Sequence, residues 1–596
     1  MIKKIILILF IINTVFITFA AAQKRLSDID YARRLEHAQE FERALTIYSR
    51  LYDKGNTNHE VTSGIVNCYY GLQQYQNLID FLSELIKKNP RRYDYKIDLG
   101  RAYYMNNQKE KALQTWDEVI KSSPPDVMKF RFTASAMAQL HLFDEAIEVY
   151  KKTIRTFKGQ EMIYRDIALL YRNQLNYGKA TEYLLKYYDH YKKRYNDFYI
   201  QIMYIIADKD ALAPAINEFE KYLADHSDKR VSELLGGLFL RNDNIDKAYA
   251  VYEKLYRQDK NINHLLNFSR EAELKDEFHY AIKAYNEILS AKPSEQTALN
   301  IKLNMAKDYY SLAKKDDNNE YITRSMQLLQ ELTVNNKYRT FKVNATELLG
   351  DIYLHYYNDL DKAIQEYNKV LNIEKNKRIK ERILLKLANA YFLKNDIDRS
   401  RKIYDKITGR QNLAYALYQK GNLSYYRGKF SLALKIYNQA LSKAGIRDSI
   451  SNNILEQIMM INRFAKDSTS LAKFSNALRL EKQGRKSQAA EKYYSLFLEG
   501  KEIGSLAGLK SARILKQIGK TEEAVKTLKE FTKSYPDADN SDEAWFLLGQ
   551  YESEMKKYDK ALEAYQKIMD DFPSSFYLDH ARENARAITK EHSCAN

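Results

Sequence analysis

The chain has 596 residues, 45% hydrophobic and 29% charged, a composition that builds a packed core and excludes an intrinsically disordered chain. Gly (19) and Pro (7) are scarce while Tyr (49) is abundant, which argues against a turn-rich sheet protein and for long runs of helix. Lys and Arg outnumber Asp and Glu by 95 to 78, but this net +17 is scattered among acids and forms no basic tail.

At the N-terminus, Lys3 and Lys4 precede an apolar stretch from Ile5 to Phe19, and Ala20, Ala21 and Ala22 follow. A positive end, an apolar run and small residues in that order spell a secretory signal over 1–22, with a mature start at Gln23. The alternative is an uncleaved anchor, because Ile5 to Ala22 is just long enough to span a bilayer. No Cys lies near Ala22, so an acylated N-terminal cysteine is not expected. Cys68 falls within an apolar helical pattern as a small core residue, and Cys594 stands three residues from the end. Neither belongs to a CxxC pair.

One pattern then recurs to the end of the chain: a small residue, an aromatic four later and an apolar residue three after that. Ala112, Trp116 and Val119 are one copy, and Ala561, Tyr565 and Ile568 are another. Fifteen units align on Ala44, Leu78, Ala112, Ala146, Ala180, Ala215, Ala248, Ala281, Ser325, Ala363, Ser400, Ala433, Ala489, Ala524 and Ala561. The first five are 34 residues apart. Offsets of four and three place the three residues on one face of a helix. The small residue admits a neighbouring helix of the same unit, and the aromatic is expected to fill the gap toward the next unit. Eleven units have Tyr, Trp or Phe at that position, and Leu82, Leu184, Leu329 and Leu528 occupy it in the others. A complementary small residue precedes each pair, as in Leu99-Gly100-Tyr103 and Leu349-Gly350-Tyr353, whereas Val66 and Met203 depart from it. Pro90, Pro124, Pro293, Pro536 and Pro573 close units.

A 34-residue period holding two short helices resembles the tetratricopeptide repeat family over roughly 26–573. The resemblance implies an all-α solenoid, a right-handed superhelix of about fifteen helix pairs with first helices lining a concave face. Units 1–8 occupy 23–297. Units 9–12 occupy 298–444, with a polar loop insertion near 314–320. A linker and extra helix follow over 445–468, with Ile450 to Ala465 helical. Units 13–15 run over 469–573, and a cap helix and tail fill 574–596. Hinges are expected near 315 and 445–468. Within the last two units, Tyr535-Pro536-Asp537, Ser541 to Gly549 and Phe572-Pro573-Ser574 resemble periplasmic repeats of the Tol-Pal coordinator family and of outer-membrane assembly lipoproteins. That likeness covers about 505–590 and implies work at a bacterial envelope by holding other proteins.

Chemistry-bearing motifs are absent from the pattern. None of the ten His residues stands in HExxH or another zinc spacing, and no GxSxG, phosphate loop or GxGxxG occurs. Asp316 to Glu320 lacks the glycine and the alternating ligands of a calcium loop. The expectation is a non-enzyme with no cofactor and no metal. Binding residues follow from the register: Tyr70, Arg101, Tyr104, Arg131, Arg165 and Arg172 fall on the exposed face of first helices in units two to five. Four arginines and two tyrosines along a groove suit a protein partner or peptide segment with acidic groups. The alternative is cell-wall glycan or an anionic polymer, with tyrosines stacking on sugars. Nucleic acid is not an expected partner, and membrane association would come through partners or an uncleaved signal.

Overall fold

The computed structural model describes residues 28–593, apart from 317, 335–337 and 446–448. The expected signal at 1–22, the Gln23 start, Cys594 and part of the linker lie outside the described residues. Among the described residues there are thirty-two α-helices, three short 3-10 turns and no strand. They run as hairpins from Asp28–His37 with Phe41–Asp53 to Tyr558–Asp571, closed by Leu578–Ser593. The chain divides into two compact units, Met1–His264 and Leu265–Asn596.

The helix pairs follow from the repeat. All fifteen aligned positions, from Ala44 to Ala561, are completely buried. That includes Ser325 in the least regular unit, whose hydroxyl donates to the Ala306 carbonyl at 2.6 Å across the helix pair. The aromatic four residues on is buried as well, but it packs first on its own unit. Trp116 donates from Nε1 to the Ile97 carbonyl at 3.0 Å. Its ring so covers Gly100 that a Cβ there would come within 2.3 Å of it. The ring, expected to fill the gap toward the next unit, thus packs on its own unit as well. The small first-helix residue leaves a hollow in the same unit, and the ring takes it. Contact with the following unit is added on top: Asn304 and Asn584 reach back to the hydroxyls of Tyr285 and Tyr565.

Burying a phenol demands a partner for its hydroxyl. Tyr48, Tyr285 and Tyr493 donate to Glu36, Glu273 and Glu481, at 3.1, 2.6 and 2.9 Å, in each case a residue on the first helix of the same unit. Burial raises the pKa of all three phenols, and the facing carboxylates raise it further.

Turns within units share one device. Two residues past the first helix the backbone turns left-handed, at Gln73, Asn107, His141, Leu175 and Asp243 among others. The Leu142 N–H then reaches back to the Met137 carbonyl at 3.0 Å, closing the helix end.

Two features differ from the sequence reading or go beyond it. The polar stretch expected as a loop near 314–320 is mostly helix, because Glu295–Asp316 and Asn319–Val334 extend into it. Lys, Asp and Glu are compatible with helix, and Asn318 accepts the Glu320 N–H at 2.9 Å to start the second one. Further along, Ser449–Arg463 forms a helix beside the pairs, with Ile450, Ile454 and Ile461 in the core. Next to it the helix Ser468–Lys482 and its turn reach back past one whole hairpin. Gln483 Nε2 donates to the Phe392 carbonyl at 2.7 Å and Arg479 to Asn395 Oδ1 at 2.9 Å.

Candidate partner-binding face

Within the first compact unit, the first helices of successive pairs are His59–Gly71, Tyr93–Met105, Val127–Gln139, Ile163–Asn173, Tyr195–Ile205 and Lys229–Arg241. Buried apolar residues tie each to its own second helix, which leaves the opposite side chains on a common face. Tyr70, on the first of these helices, donates to the Asp98 carbonyl at 3.0 Å on the next. Arg101 lies 3.4 Å from the Asp98 carboxylate, and Tyr104 is half-buried one turn further on. Burial pushes the Asp98 carboxyl above its ordinary range, opposed by Arg101. Burial likewise raises the Tyr70 phenol, helped by Asp98 and opposed by Arg101.

Arg131 and Arg165 belong to a second group. Arg165 lies 4.0 Å from Asp166 and 3.5 Å from Asp197 on the next first helix, and Asp197 also accepts from Tyr187 at 2.6 Å. Burial pushes the Asp166 carboxyl up, while Arg165 and then Arg131 hold it down. Burial raises the Tyr150 phenol to about 12, with Asp166 adding to the rise and Arg131 opposing it. Arg131 itself is exposed. Arg172 differs from both groups, because its guanidinium lies 3.7 Å from the centre of the Tyr204 ring.

The expected basic stripe is thus a mosaic. Tyr70 with Arg101, and Arg131 with Arg165, sit among carboxylates that partly neutralise them. The freer ground is on Tyr195–Ile205, which sequence reasoning passed over. Phe198, Ile202 and Ile205 of that helix are buried, yet Tyr199, Ile200 and Tyr204 remain 42%, 62% and 49% exposed on the other side. Guanidinium groups border them. Besides Arg172 over Tyr204, Arg241 reaches the Met203 sulfur at 3.7 Å and Arg230 lies 5.2 Å over the Tyr195 ring. Among the described residues no carboxylate comes within ion-pair reach of Arg172, Arg230 or Arg241. The signal in the sequence was the helix YNDFYIQIMYI itself, apolar over more of its circumference than one buried face requires.

Cys68 is buried, and burial with nearby Glu36 raises its thiol to about 12, so it is a packing residue and an unreactive one. Among the described residues no three His, Cys, Asp or Glu side chains converge as a metal-sized group, and no helix is long and apolar enough to cross a membrane.

Tetratricopeptide repeat models match residues 98–125 and 509–576. A TPR repeat-containing protein of Methanocaldococcus jannaschii is 25% identical over 336 residues, 55% of this chain and 52% of that protein. An uncharacterized protein of Treponema pallidum is 41% identical over 73 residues, 12% of this chain and 14% of that one. The chain therefore spans about half the length of the first relative and far less of the second. A solved chain from a structure of Naa15/Naa10 bound to HypK-THB aligns over 96% of this chain and 97% of its own, at 14% identity and a TM-score of 0.26. Tetratricopeptide repeats are thus matched in both compact units, and one helix-pair packing recurs from Ala44 to Ala561.

Proposed function

We propose that this protein is an exported, non-catalytic scaffold that holds other proteins at a bacterial cell envelope. Tetratricopeptide repeats serve as protein-interaction scaffolds, and the observation that carries the reading here is the face of first helices between Tyr70 and Tyr204. It offers exposed aromatic and guanidinium groups on helices that contact one another from unit to unit. Export and the envelope setting draw support from the signal-like segment over 1–22 and from the likeness of 505–590 to periplasmic repeats.

The test is a crosslinking pull-down from native envelopes, with the chain from Gln23 as bait and an Arg101→Glu, Arg131→Glu, Arg165→Glu variant beside it. Defined envelope proteins, recovered by the native bait and lost with the variant, would bear out both scaffold and face. Recovery of cell-wall polymer without protein would replace the scaffold by a glycan-binding role. Fractionation that left the chain in the cytoplasm would end the envelope reading.

A further inference from the structure

The patch on Tyr195–Ile205 has a defined chemical character. Its centre is apolar: Tyr199, Ile200 and Tyr204 are all more than two-fifths exposed, although each would gain by leaving water. Its border is cationic and already ordered. Arg172 lies 3.7 Å over the Tyr204 ring, Arg230 5.2 Å over Tyr195, and Arg241 3.7 Å from the Met203 sulfur. Stacking immobilises a guanidinium while keeping donors in its plane for an acceptor, so little further ordering is needed when a carboxylate arrives.

The local acids have other partners. Glu233, which acts on the Tyr195 phenol, lies 3.8 Å from His264, while Asp228 accepts from Tyr188 and from the Arg230 and Val231 N–H groups. Asp197 is taken by Arg165 and Tyr187. Asp208, which feels the Arg172 charge, accepts from the Tyr177 hydroxyl and the Asp210 N–H. An apolar centre bordered by unpaired cations is complementary to one kind of surface and repels its charge-reversed counterpart.

We infer that this patch receives a partner segment whose apolar stripe is bordered by carboxylates. The inference rests on the protein-binding reading above and names the partner's chemistry. The segment's apolar side chains would cover Ile200 and the two tyrosines, and its carboxylates would meet Arg172, Arg230 and Arg241.

Two synthetic amphipathic peptides with the same leucine stripe, one bordered by Glu and one by Lys, provide the test. Their binding to the chain from Gln23 is read by fluorescence anisotropy. The Glu peptide should bind at least about tenfold more tightly at low salt, with the gap narrowing as salt rises. Ile200→Asp and the pair Arg172→Gln with Arg241→Gln should each weaken it by about tenfold, while Arg155→Gln, exposed on the second helix Phe143–Thr156 and away from the face, leaves it within about twofold. All four side chains are at least partly exposed, and matching circular dichroism melts confirm that the variants fold. Equal binding of the Lys peptide, or indifference to both patch variants, overturns the inference. If the peptide preference fails while the native bait still recovers envelope proteins, the patch falls and the scaffold stands. If the preference holds and no envelope protein is recovered, the patch stands and the envelope scaffold falls.

Discussion

Replacing Asp308 with Asn should stabilise the second compact unit at alkaline pH and flatten its dependence on pH. Asp308 is 4% exposed on the helix Glu295–Asp316, and its Oδ2 is buried without a hydrogen-bond partner. Burial, with Glu273 adding to it and Lys307 opposing, raises its carboxyl from 3.8 to about 8. Between those two values the native chain holds a proton that the unfolded chain has released. Stability therefore falls as pH rises from about 4 to about 8 and levels off above that. At about 1.4 kcal/mol for each pH unit the ceiling is about 6 kcal/mol. Relaxation and water entry around an ionised carboxylate lower the expected gain of Asp308→Asn to about 1–3 kcal/mol at pH 9, with near equality only as the pH falls to about 3, where the carboxyl is neutral in both states. Thermal and urea unfolding of both proteins across this range, followed by circular dichroism, measures the difference. If the native protein and the variant lose stability in parallel between the two pH values, the buried carboxyl is ionised without penalty and the reasoning fails.

Gly100→Ala should cost about 1–3 kcal/mol, because its Cβ would lie 2.3 Å from Trp116 Nε1, and indole fluorescence during urea unfolding reports the loss. Leu175→Gly should gain about 1 kcal/mol, since Leu175 is exposed and sits at φ 59°, a conformation that costs a side chain and costs glycine nothing; the melting temperature reads it. Cys68 should escape alkylation at mildly alkaline pH until the chain is unfolded, as peptide mapping would show, because its buried thiol titrates near 12.

The helix pairs were legible because their cause is local. A small residue, an aromatic and an apolar residue at offsets of four and three define a face without reference to distant chain, and Ala44 to Ala561 all lie where that face predicts. The binding face was only partly legible. Register alone places Arg165 on the open side of its helix, but its pairing with Asp197, thirty-two residues on, depends on how neighbouring hairpins stack. Tyr195–Ile205 was hidden by its own composition. A helix apolar on most sides has no stripe to separate inward Ile202 from outward Ile200. The stretch near 314–320 misled because Lys, Asp and Asn are as common in loops as at helix ends.

The bond from Gln483 to the Phe392 carbonyl spans 91 positions of a chain whose other contacts are mostly between neighbours. Hairpins that touch only adjacent hairpins can melt one at a time from an end, each with its own small barrier. A strap that passes over an intervening hairpin removes that freedom, because Phe430–Lys443 and its partner helix cannot leave while both anchor points hold. Under a pulling force the segment from Phe392 to Gln483 should therefore lengthen in one step, at a higher force than single hairpins. On refolding it should be the slowest part of its unit to form, since its closing contact encloses the longest loop.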